Sequence, residues 1–212
     1  MNTLQKDKKY VWHPFSSLQE KYPPLVVESA KGCKIILDDG REIIDAVSSW
    51  WTNIHGHGNQ ELLTVLTEQA LNLDHVIFAG FTHKPAVALS ENLVKLTNNN
   101  FSKVFFSDDG STAVEVGLKL ALQYWDNQGI EKTKVIAIEG AYHGDTFGAM
   151  SLAGKSEFFK AFNDKLFDVV SLPFPTEENI EEVLAVFQKE LETGNVACLI
   201  LEPKLQGAAG MR

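Results

Sequence analysis

A turn of small and polar residues at 108–112 has the composition of a phosphate-binding site. The sequence Asp-Asp-Gly-Ser-Thr fills these positions, after an apolar run at 104–106 and before a long helical pattern. Backbone N–H groups at a helix start carry partial positive charge, Gly110 lets an anion approach the chain closely, and the Ser111 and Thr112 hydroxyls add donors. This phosphate turn predicts a site for a phosphorylated small molecule, with an ordinary N-capped helix as the alternative.

A second group of polar residues follows a later apolar run. Tyr142, His143 and Asp145 lie just beyond that run, and Glu202 ends another one. Because the carboxyl ends of parallel strands face one crevice, we expect these side chains to converge on the phosphate turn. A Tyr ring can stack on a flat heteroaromatic ligand, and a His or a carboxylate can orient its polar groups. The alternative is a loop whose Tyr only packs.

Two adjacent indoles, Trp50 and Trp51, precede a glycine-rich loop. Adjacent rings in an extended segment point in opposite directions, so one can join the core while the other lines a pocket. The alternative places both rings in the core. His55 and His57 stand two residues apart in the following loop, but no acidic or Cys ligand lies beside them, so we assign no metal.

Composition excludes several classes of function. The chain has 212 residues, a formal net charge of −9 and a pI near 5.1. Clustered Lys and Arg are absent, which argues against nucleic acid and anionic membranes as partners. No apolar run approaches the length of a bilayer span, and the first residues lack the apolar core of a signal peptide. Cys33 and Cys198 are far apart in the sequence and suggest neither a disulfide framework nor a zinc cluster, so a reducing cytoplasm fits best.

The surrounding pattern predicts the elements that position these residues. Asp39-Gly40 between two β-rich runs predicts a hairpin, and helical patterns begin at Asn59 and Pro85. Apolar runs then alternate with helical segments, which predicts an α/β fold with a mainly parallel sheet and flanking helices. The predicted strands are 104–106, 135–138, 169–172 and 196–201.

The helix after the phosphate turn is apolar on two faces, so we expect it to be largely buried. Glu115, Lys119 and Gln123 form its narrow polar strip, with Glu115 and Lys119 placed for a favourable ion pair. The last predicted strand is followed only by a small-residue loop at 207–212. Because a buried parallel strand needs cover and neighbours, we expect the fold to continue beyond Arg212.

Several motifs in order make the chain resemble the N-terminal half of a class III aminotransferase, a fold-type I pyridoxal-phosphate enzyme. They are Trp-His-Pro-Phe at 12–15, Ser-Ser-Trp-Trp at 48–51, Ile-His-Gly at 54–56, Phe-Thr-His-Lys-Pro-Ala at 81–86, Gly-Ser-Thr-Ala-Val-Glu-Val at 110–116, Ala-Leu-Gln-Tyr-Trp at 121–125, Tyr-His-Gly-Asp-Thr-Phe-Gly-Ala-Met-Ser at 142–151 and Glu-Pro-Lys-Leu-Gln-Gly-Ala at 202–208. The Trp-Trp pair and the Trp-His-Pro-Phe motif are similar to the branch that works in biotin biosynthesis.

The resemblance implies roles for individual residues. Gly110 and Ser111 would bind the phosphate of pyridoxal 5'-phosphate, and Tyr142 would stack on its ring and meet substrate. Asp145 and Glu202 are expected beside the cofactor. Two further residues, Phe15 and Trp50, would contact substrate. Phe15 stands where some relatives carry a Tyr whose hydroxyl contributes to substrate recognition. Residues 1–48 would belong to the small domain and 49–212 to an incomplete large cofactor-binding domain.

The resemblance also implies an activity and what this segment lacks. The enzyme would move an amino group from S-adenosylmethionine to 8-amino-7-oxononanoate, giving 7,8-diaminononanoate in a two-step exchange through pyridoxamine phosphate, as a cytoplasmic homodimer. The family's Schiff-base lysine, its Asp at the pyridine nitrogen and its substrate-binding Arg all belong downstream. Lys204 stands in a different motif, so we assign no catalytic residue here and expect the segment alone to be inactive.

Three alternatives remain at this point. A class III ω-aminotransferase could use lysine or another amine as donor. A noncatalytic binding or interaction protein could share the scaffold. A dinucleotide-binding oxidoreductase would need a Gly-x-Gly-x-x-Gly turn, and the glycine spacing around Gly110 does not supply it.

Overall fold

The computed structural model describes residues 1–19, 22–154, 160–208 and 210–211. It divides into two compact units, Met1–Ala88 and Leu89–Arg212. The domain boundary between residues 48 and 49 stays a prediction. Residues 209 and 212 of the predicted C-terminal loop lie outside the described part. Among the described helices, none combines the length and the apolar character needed to span a bilayer.

The first unit contains a three-stranded antiparallel sheet and short helices. Its elements are α1 Thr3–Tyr10, β1 Val27–Lys31, β2 Lys34–Leu37, β3 Glu42–Ile44, α2 Ser48–Trp51 and α3 Gln60–Asn72, while α4 Lys84–Leu96 crosses into the second unit. Strand β2 pairs with both β1 and β3, and the turn between β2 and β3 places Gly40 at φ +84°. The predicted hairpin is therefore confirmed.

Helix α3 begins where the sequence predicts it. The side chain of Asn59 accepts a hydrogen bond from the Leu62 N–H at 3.1 Å, which satisfies one donor of the first turn. Helix α4 begins one residue before Pro85, a position that tolerates proline because the first N–H groups of a helix have no partner within it. Both predicted helix starts are thus confirmed to within a residue.

The second unit is built on a parallel sheet in the order β5-β4-β6. Its elements are α5 Gly110–Asn127, β4 Lys134–Ile138, α6 Phe147–Ala153, a short 3₁₀ turn Lys160–Phe162, β5 Val170–Leu172, α7 Ile180–Glu192 and β6 Val196–Ile200. The α/β class and three of the four predicted strands are confirmed. Ile136, Leu172 and Val183 form the buried core, with Phe187 packed against it.

The predicted strand at 104–106 is wrong in this structure. Residues 103–107 have no strand assignment, and Phe105 is 68% exposed. A strand exists only through hydrogen bonds to a neighbour. The described sheet has three strands, and none of their ladders includes these residues. Apolar composition therefore identified a segment suited to a strand, but it could not show that a neighbouring strand is there to form a ladder with it.

The prediction that α5 is largely buried is also wrong. Val114, Leu118 and Trp125 are half-buried, whereas Leu120 and Tyr124 on the other face are 58% and 57% exposed. Only one side of the helix packs against β6 and α6 in this unit. The Trp125 indole N–H fixes that side by donating to the Ala197 carbonyl at 2.8 Å. Two apolar faces thus show that a helix can be buried on both sides. Which side is buried depends on the elements that pack against it.

Candidate functional site

The phosphate turn leads into α5 with a capping box that satisfies part of the helix start. The Thr112 N–H donates to Asp109 Oδ1 at 2.8 Å, and the Asp109 N–H donates to Thr112 Oγ1 at 3.0 Å. The first four N–H groups of a helix have no partner within the helix, and this box accounts for two of them. The N–H groups of Gly110 and Ser111 remain without a protein partner among the described residues.

The space beside Gly110 is open, whereas the side chain of Ser111 is held by a hydrogen bond. A Cβ built on Gly110 would meet nothing within 4 Å. Ser111 Oγ accepts the Asp145 N–H at 3.2 Å, so the hydroxyl hydrogen of Ser111 is left to donate elsewhere. Two backbone donors and one hydroxyl donor therefore stand together at the positive end of a long helix.

Gly144 brings the 142–145 loop into contact with Ser111. A Cβ on Gly144 would lie 2.2 Å from Ser111 Oγ and 2.9 Å from its Cα, and the Gly144 φ of +128° also disfavours a side chain. Only glycine allows the loop to approach α5 this closely. The predicted convergence of Ser111 and Asp145 is present in the structure.

Tyr142 has its phenol fixed by Asp145. The hydroxyl donates to Asp145 Oδ2 at 2.9 Å, and the side chain is 40% exposed, so a ligand can reach the ring. Burial first and the Asp145 carboxylate second raise the pKa of Tyr142. The phenol therefore stays protonated at neutral pH, and its ring orientation is set by the hydrogen bond.

Glu202 links two loops through backbone contacts. One carboxylate oxygen accepts the Tyr142 N–H at 3.2 Å, and the other accepts the Gly207 N–H at 2.9 Å. Both carboxylate oxygens of Glu202 therefore accept backbone N–H groups, and one of these bonds fixes the backbone at Tyr142. The structure thus brings Glu202 to the predicted region, in contact with the loop that carries the Tyr.

Two polar side chains beside these loops are buried with an unpaired atom. His143 Nε2 and Gln206 Oε1 have no hydrogen-bond partner among the described residues, and the two side chains belong to residues 9% and 2% exposed. Burial lowers the pKa of His143, while the charge of Glu202 opposes that shift. The imidazole is therefore neutral at pH 7.

Glu115 has a different role from the one its position in the sequence predicts. Its Oε1 accepts the Gly148 N–H at 2.8 Å, and a Cβ on Gly148 would lie 2.3 Å from Oε2. The expected pairing with Lys119 is not among the described ion pairs. Glu115 instead joins α5 to the start of α6, where a carboxylate is favoured by the helix dipole. No local pattern marks this contact, because the partners are 33 residues apart.

In the first unit, Phe15 and Trp50 lie together. Their ring centroids are 5.8 Å apart at an interplanar angle of 59°, and the residues are 77% and 66% exposed. The expectation of an extended segment at Trp50 and Trp51 is wrong, because residues 48–51 have φ values of 48°, 48°, 57° and 65°. Left-handed backbone costs roughly 1–2 kcal/mol per non-glycine residue, so the turn needs external support.

Asp45 supplies that support. Its carboxylate accepts the Ser49 N–H at 2.9 Å and the Ser49 hydroxyl at 2.7 Å, and lies 2.8 Å from His57 Nε2. These hydrogen bonds, those from Ser49 first, lower the pKa of Asp45 to about 2. His57 is thus paired with a carboxylate, and the described residues contain no group of side chains arranged to hold a metal ion.

The profile of the family described as "Aminotransferase class-III" matches residues 15–212. The chain belongs to this family. A relative from Synechococcus elongatus, named adenosylmethionine-8-amino-7-oxononanoate aminotransferase, is 47% identical over 211 residues, which cover 96% of this chain and 50% of that protein. A relative of the same name from Saccharomyces cerevisiae is 42% identical, covering 99% and 48%. The class III chain described here thus spans about half the length of these relatives.

Solved structures agree with the fold. The adenosylmethionine-8-amino-7-oxononanoate aminotransferase from Methanocaldococcus jannaschii matches with a TM-score of 0.91 and 36% identity, covering 97% of this chain and 48% of that one. An omega transaminase from Pseudomonas jessenii, solved in complex with PMP, matches with a TM-score of 0.89 and 29% identity, covering 99% and 50%. The fold-type I architecture predicted for this class III aminotransferase chain is confirmed.

Proposed function

We propose that the whole protein containing this chain transfers an amino group from S-adenosylmethionine to 8-amino-7-oxononanoate, giving 7,8-diaminononanoate, with pyridoxal 5'-phosphate as cofactor. The names of the relatives from Synechococcus elongatus and Saccharomyces cerevisiae support this reaction. The observation that carries the cofactor part is the pair of backbone N–H groups left over at Gly110 and Ser111.

The start of α5 fits a phosphate monoester. Such a group is a dianion with several acceptor oxygens, and the N–H groups of Gly110 and Ser111 together with the Ser111 hydroxyl supply matching donors. The open space over Gly110 leaves room for it. The Asp109 carboxylate caps the helix. Its Oδ1 accepts the Thr112 N–H and is therefore not directed at an anion.

The other residues would orient the ring and the substrates. Tyr142 would stack on the pyridine ring, and Asp145 would hold the Tyr proton on the phenol oxygen while its own N–H fixes Ser111. Glu202 would keep the Tyr142 backbone in place. When bound, the cofactor supplies the carbonyl and the electron-withdrawing ring that amino-group exchange requires.

Phe15 and Trp50 would line the substrate pocket. Both rings are exposed and lie against each other. An indole face suits an apolar chain or a cation such as a sulfonium. Phe15 can contribute only packing, because it carries no hydroxyl.

A second candidate function is that of a class III ω-aminotransferase that uses lysine or another amine. The likeness to the Pseudomonas jessenii omega transaminase favours this candidate. The amino donor distinguishes the two proposals. The test assays the whole protein with 8-amino-7-oxononanoate and either S-adenosylmethionine or lysine, detecting 7,8-diaminononanoate by mass spectrometry. We expect product with S-adenosylmethionine. Product with lysine alone would contradict the first proposal and support the second.

We further propose a cytoplasmic homodimer. The two cysteines of the chain are both free, as a reducing compartment requires. Sedimentation equilibrium of the whole protein should give twice the monomer mass, and cell fractionation should recover it with cytoplasmic markers. A monomeric active enzyme would contradict the dimer.

A further inference from the structure

Four consecutive residues with left-handed backbone place Trp50 and Trp51 at the surface of the first unit. The turn makes few bonds of its own, among them Trp51 N–H to Val47 O at 2.9 Å and Asn53 N–H to Ser48 O at 3.0 Å. Since L-residues avoid this backbone region, the turn persists only where the surroundings hold it.

The carboxylate of Asp45 is the strongest candidate. Its side chain is 6% exposed, and both its oxygens are used by groups on and beside the turn. Ser49 presents its backbone N–H and its hydroxyl to the same carboxylate, one to each oxygen. These two hydrogen bonds fix Ser49, the residue immediately before Trp50.

His57 anchors that carboxylate from the other side. Its Nε2 lies 2.8 Å from Asp45 Oδ2, and its side chain is 17% exposed. The His57 backbone is itself tied to Gly32 by two hydrogen bonds of 2.8 and 2.9 Å. A continuous series of contacts therefore runs from the turn between β1 and β2 through His57 and Asp45 to Ser49.

We propose that Asp45 and His57 are positioning residues that hold the 48–51 turn in its left-handed form and so present Trp50 to the substrate. This inference rests on the proposed substrate role of Trp50. Neither residue needs to touch substrate. Each acts through Ser49, and loss of the Asp45 charge releases the turn.

The experiment labels the whole protein with 5-fluorotryptophan and follows the resonances of Trp50 and Trp51 by ¹⁹F NMR, assigned with single Trp→Phe variants. Asp45→Asn should shift or broaden both resonances and leave that of Trp125, in the second unit, unchanged. His57→Gln should produce a smaller change in the same direction. Asp39→Asn is the matched control, since Asp39 is bonded to the Arg41 N–H and Nε in the same unit but touches no residue of the turn.

Kinetics of the same variants separate positioning from general damage. Asp45→Asn should raise the KM for the substrate that Trp50 contacts by about tenfold, with cofactor affinity and far-UV circular dichroism unchanged. Ser49→Ala, which removes the hydroxyl that Asp45 accepts, should resemble Asp45→Asn. Unchanged Trp50 and Trp51 resonances in Asp45→Asn, or shifted resonances with unchanged KM, would overturn the proposal. Failure of the proposed function would instead appear as no transamination by the wild-type protein, with the resonance shifts still present.

Discussion

Ser111 combines two roles at one side chain. Its oxygen accepts the Asp145 N–H, which ties the 142–145 loop to α5, and its hydroxyl hydrogen remains for a ligand. The contact depends on Gly144, whose missing side chain leaves the room that Ser111 occupies. Small changes at these positions should therefore alter cofactor binding more than stability.

Gly144→Ala should weaken cofactor binding by the whole protein at least tenfold, because the new Cβ would lie 2.2 Å from Ser111 Oγ. Part of any effect will come from the φ of +128°, a value that Ala rarely adopts and that costs roughly 1–3 kcal/mol. Gly129→Ala controls for the ordinary cost of Ala at a positive φ, since Gly129 has φ +67° and open space around it. Equilibrium dialysis with pyridoxal phosphate gives the affinities. Equal losses in the two variants would show that backbone strain, not the Ser111 contact, matters.

Asp145→Asn should lower the pKa of the Tyr142 phenol. The carboxylate raises that pKa by accepting the hydroxyl proton and by its charge, and Asn removes the charge while burial continues to raise the pKa. Phenolate absorbance at 295 nm, measured against pH, reports the shift. The difference should vanish in a Tyr142→Phe background. Asp108→Asn serves as a control with no described contact to Tyr142, and the same shift there would argue against the assigned cause.

At the scale of elements, α5 and α6 are joined by Glu115 rather than by apolar packing alone. The Gly148 N–H of α6 donates to Glu115, and no space remains for a side chain on Gly148. Gly117 of α5 has the opposite setting, since a Cβ there would meet nothing within 4 Å. The two helical glycines therefore form a matched pair.

Gly117→Ala should stabilise the protein by about 0.5–1 kcal/mol, because Ala loses less backbone entropy in a helix. Gly148→Ala should destabilise it by about 1–3 kcal/mol, since displacing Glu115 leaves a buried N–H without its acceptor. Urea unfolding followed by far-UV circular dichroism measures both. Stabilisation by Gly148→Ala would mean that Glu115 moves aside at no cost.

The elements that could be predicted from the sequence are those defined by local signals. Asp109 before a helical pattern predicts a cap, and Asp39-Gly40 predicts a hairpin, since each depends on backbone within a few residues. The lack of a strand at 104–106 and the exposed face of α5 could not be predicted in this way, because apolar composition shows capacity for burial and not the presence of a neighbouring element.

Only some contacts between distant residues could be predicted. The site residues Ser111, Tyr142 and Asp145 were predicted to converge from the position of strand ends, and they do. The Glu115 contact to Gly148 and the His57 contact to Asp45 have no sequence signature, since neither partner's type or spacing marks it.

For the molecule as a whole, the chain spans about half the length of the relatives it matches, and the structure divides into two compact units. Gly110, Ser111 and Tyr142 belong to the second unit, and Phe15 and Trp50 to the first. The family resemblance assigns the cofactor-attaching lysine to neither unit. The missing lysine bears on whether the chain alone can turn over substrate.

The 212-residue polypeptide alone should form no 7,8-diaminononanoate, because covalent attachment of the cofactor requires an amine that we do not assign to this chain. The whole protein, assayed in parallel with S-adenosylmethionine and 8-amino-7-oxononanoate, is the control. Mass spectrometry of the product gives the result. Turnover by the polypeptide alone would require an attaching lysine within it, and a Lys204→Ala variant would then identify or exclude that residue.

The close approach of Gly144 to Ser111 has a consequence for the evolution of the sequence. A substitution that adds a side chain at position 144 collides with both the side chain and the backbone at position 111, so a smaller residue at 111 would not make room for it. Among relatives that keep this loop, position 144 should therefore stay glycine whatever residue stands at 111. A larger residue at 144 should occur only with a displaced start of α5, which would remove the arrangement of donors at Gly110 and Ser111 from that lineage.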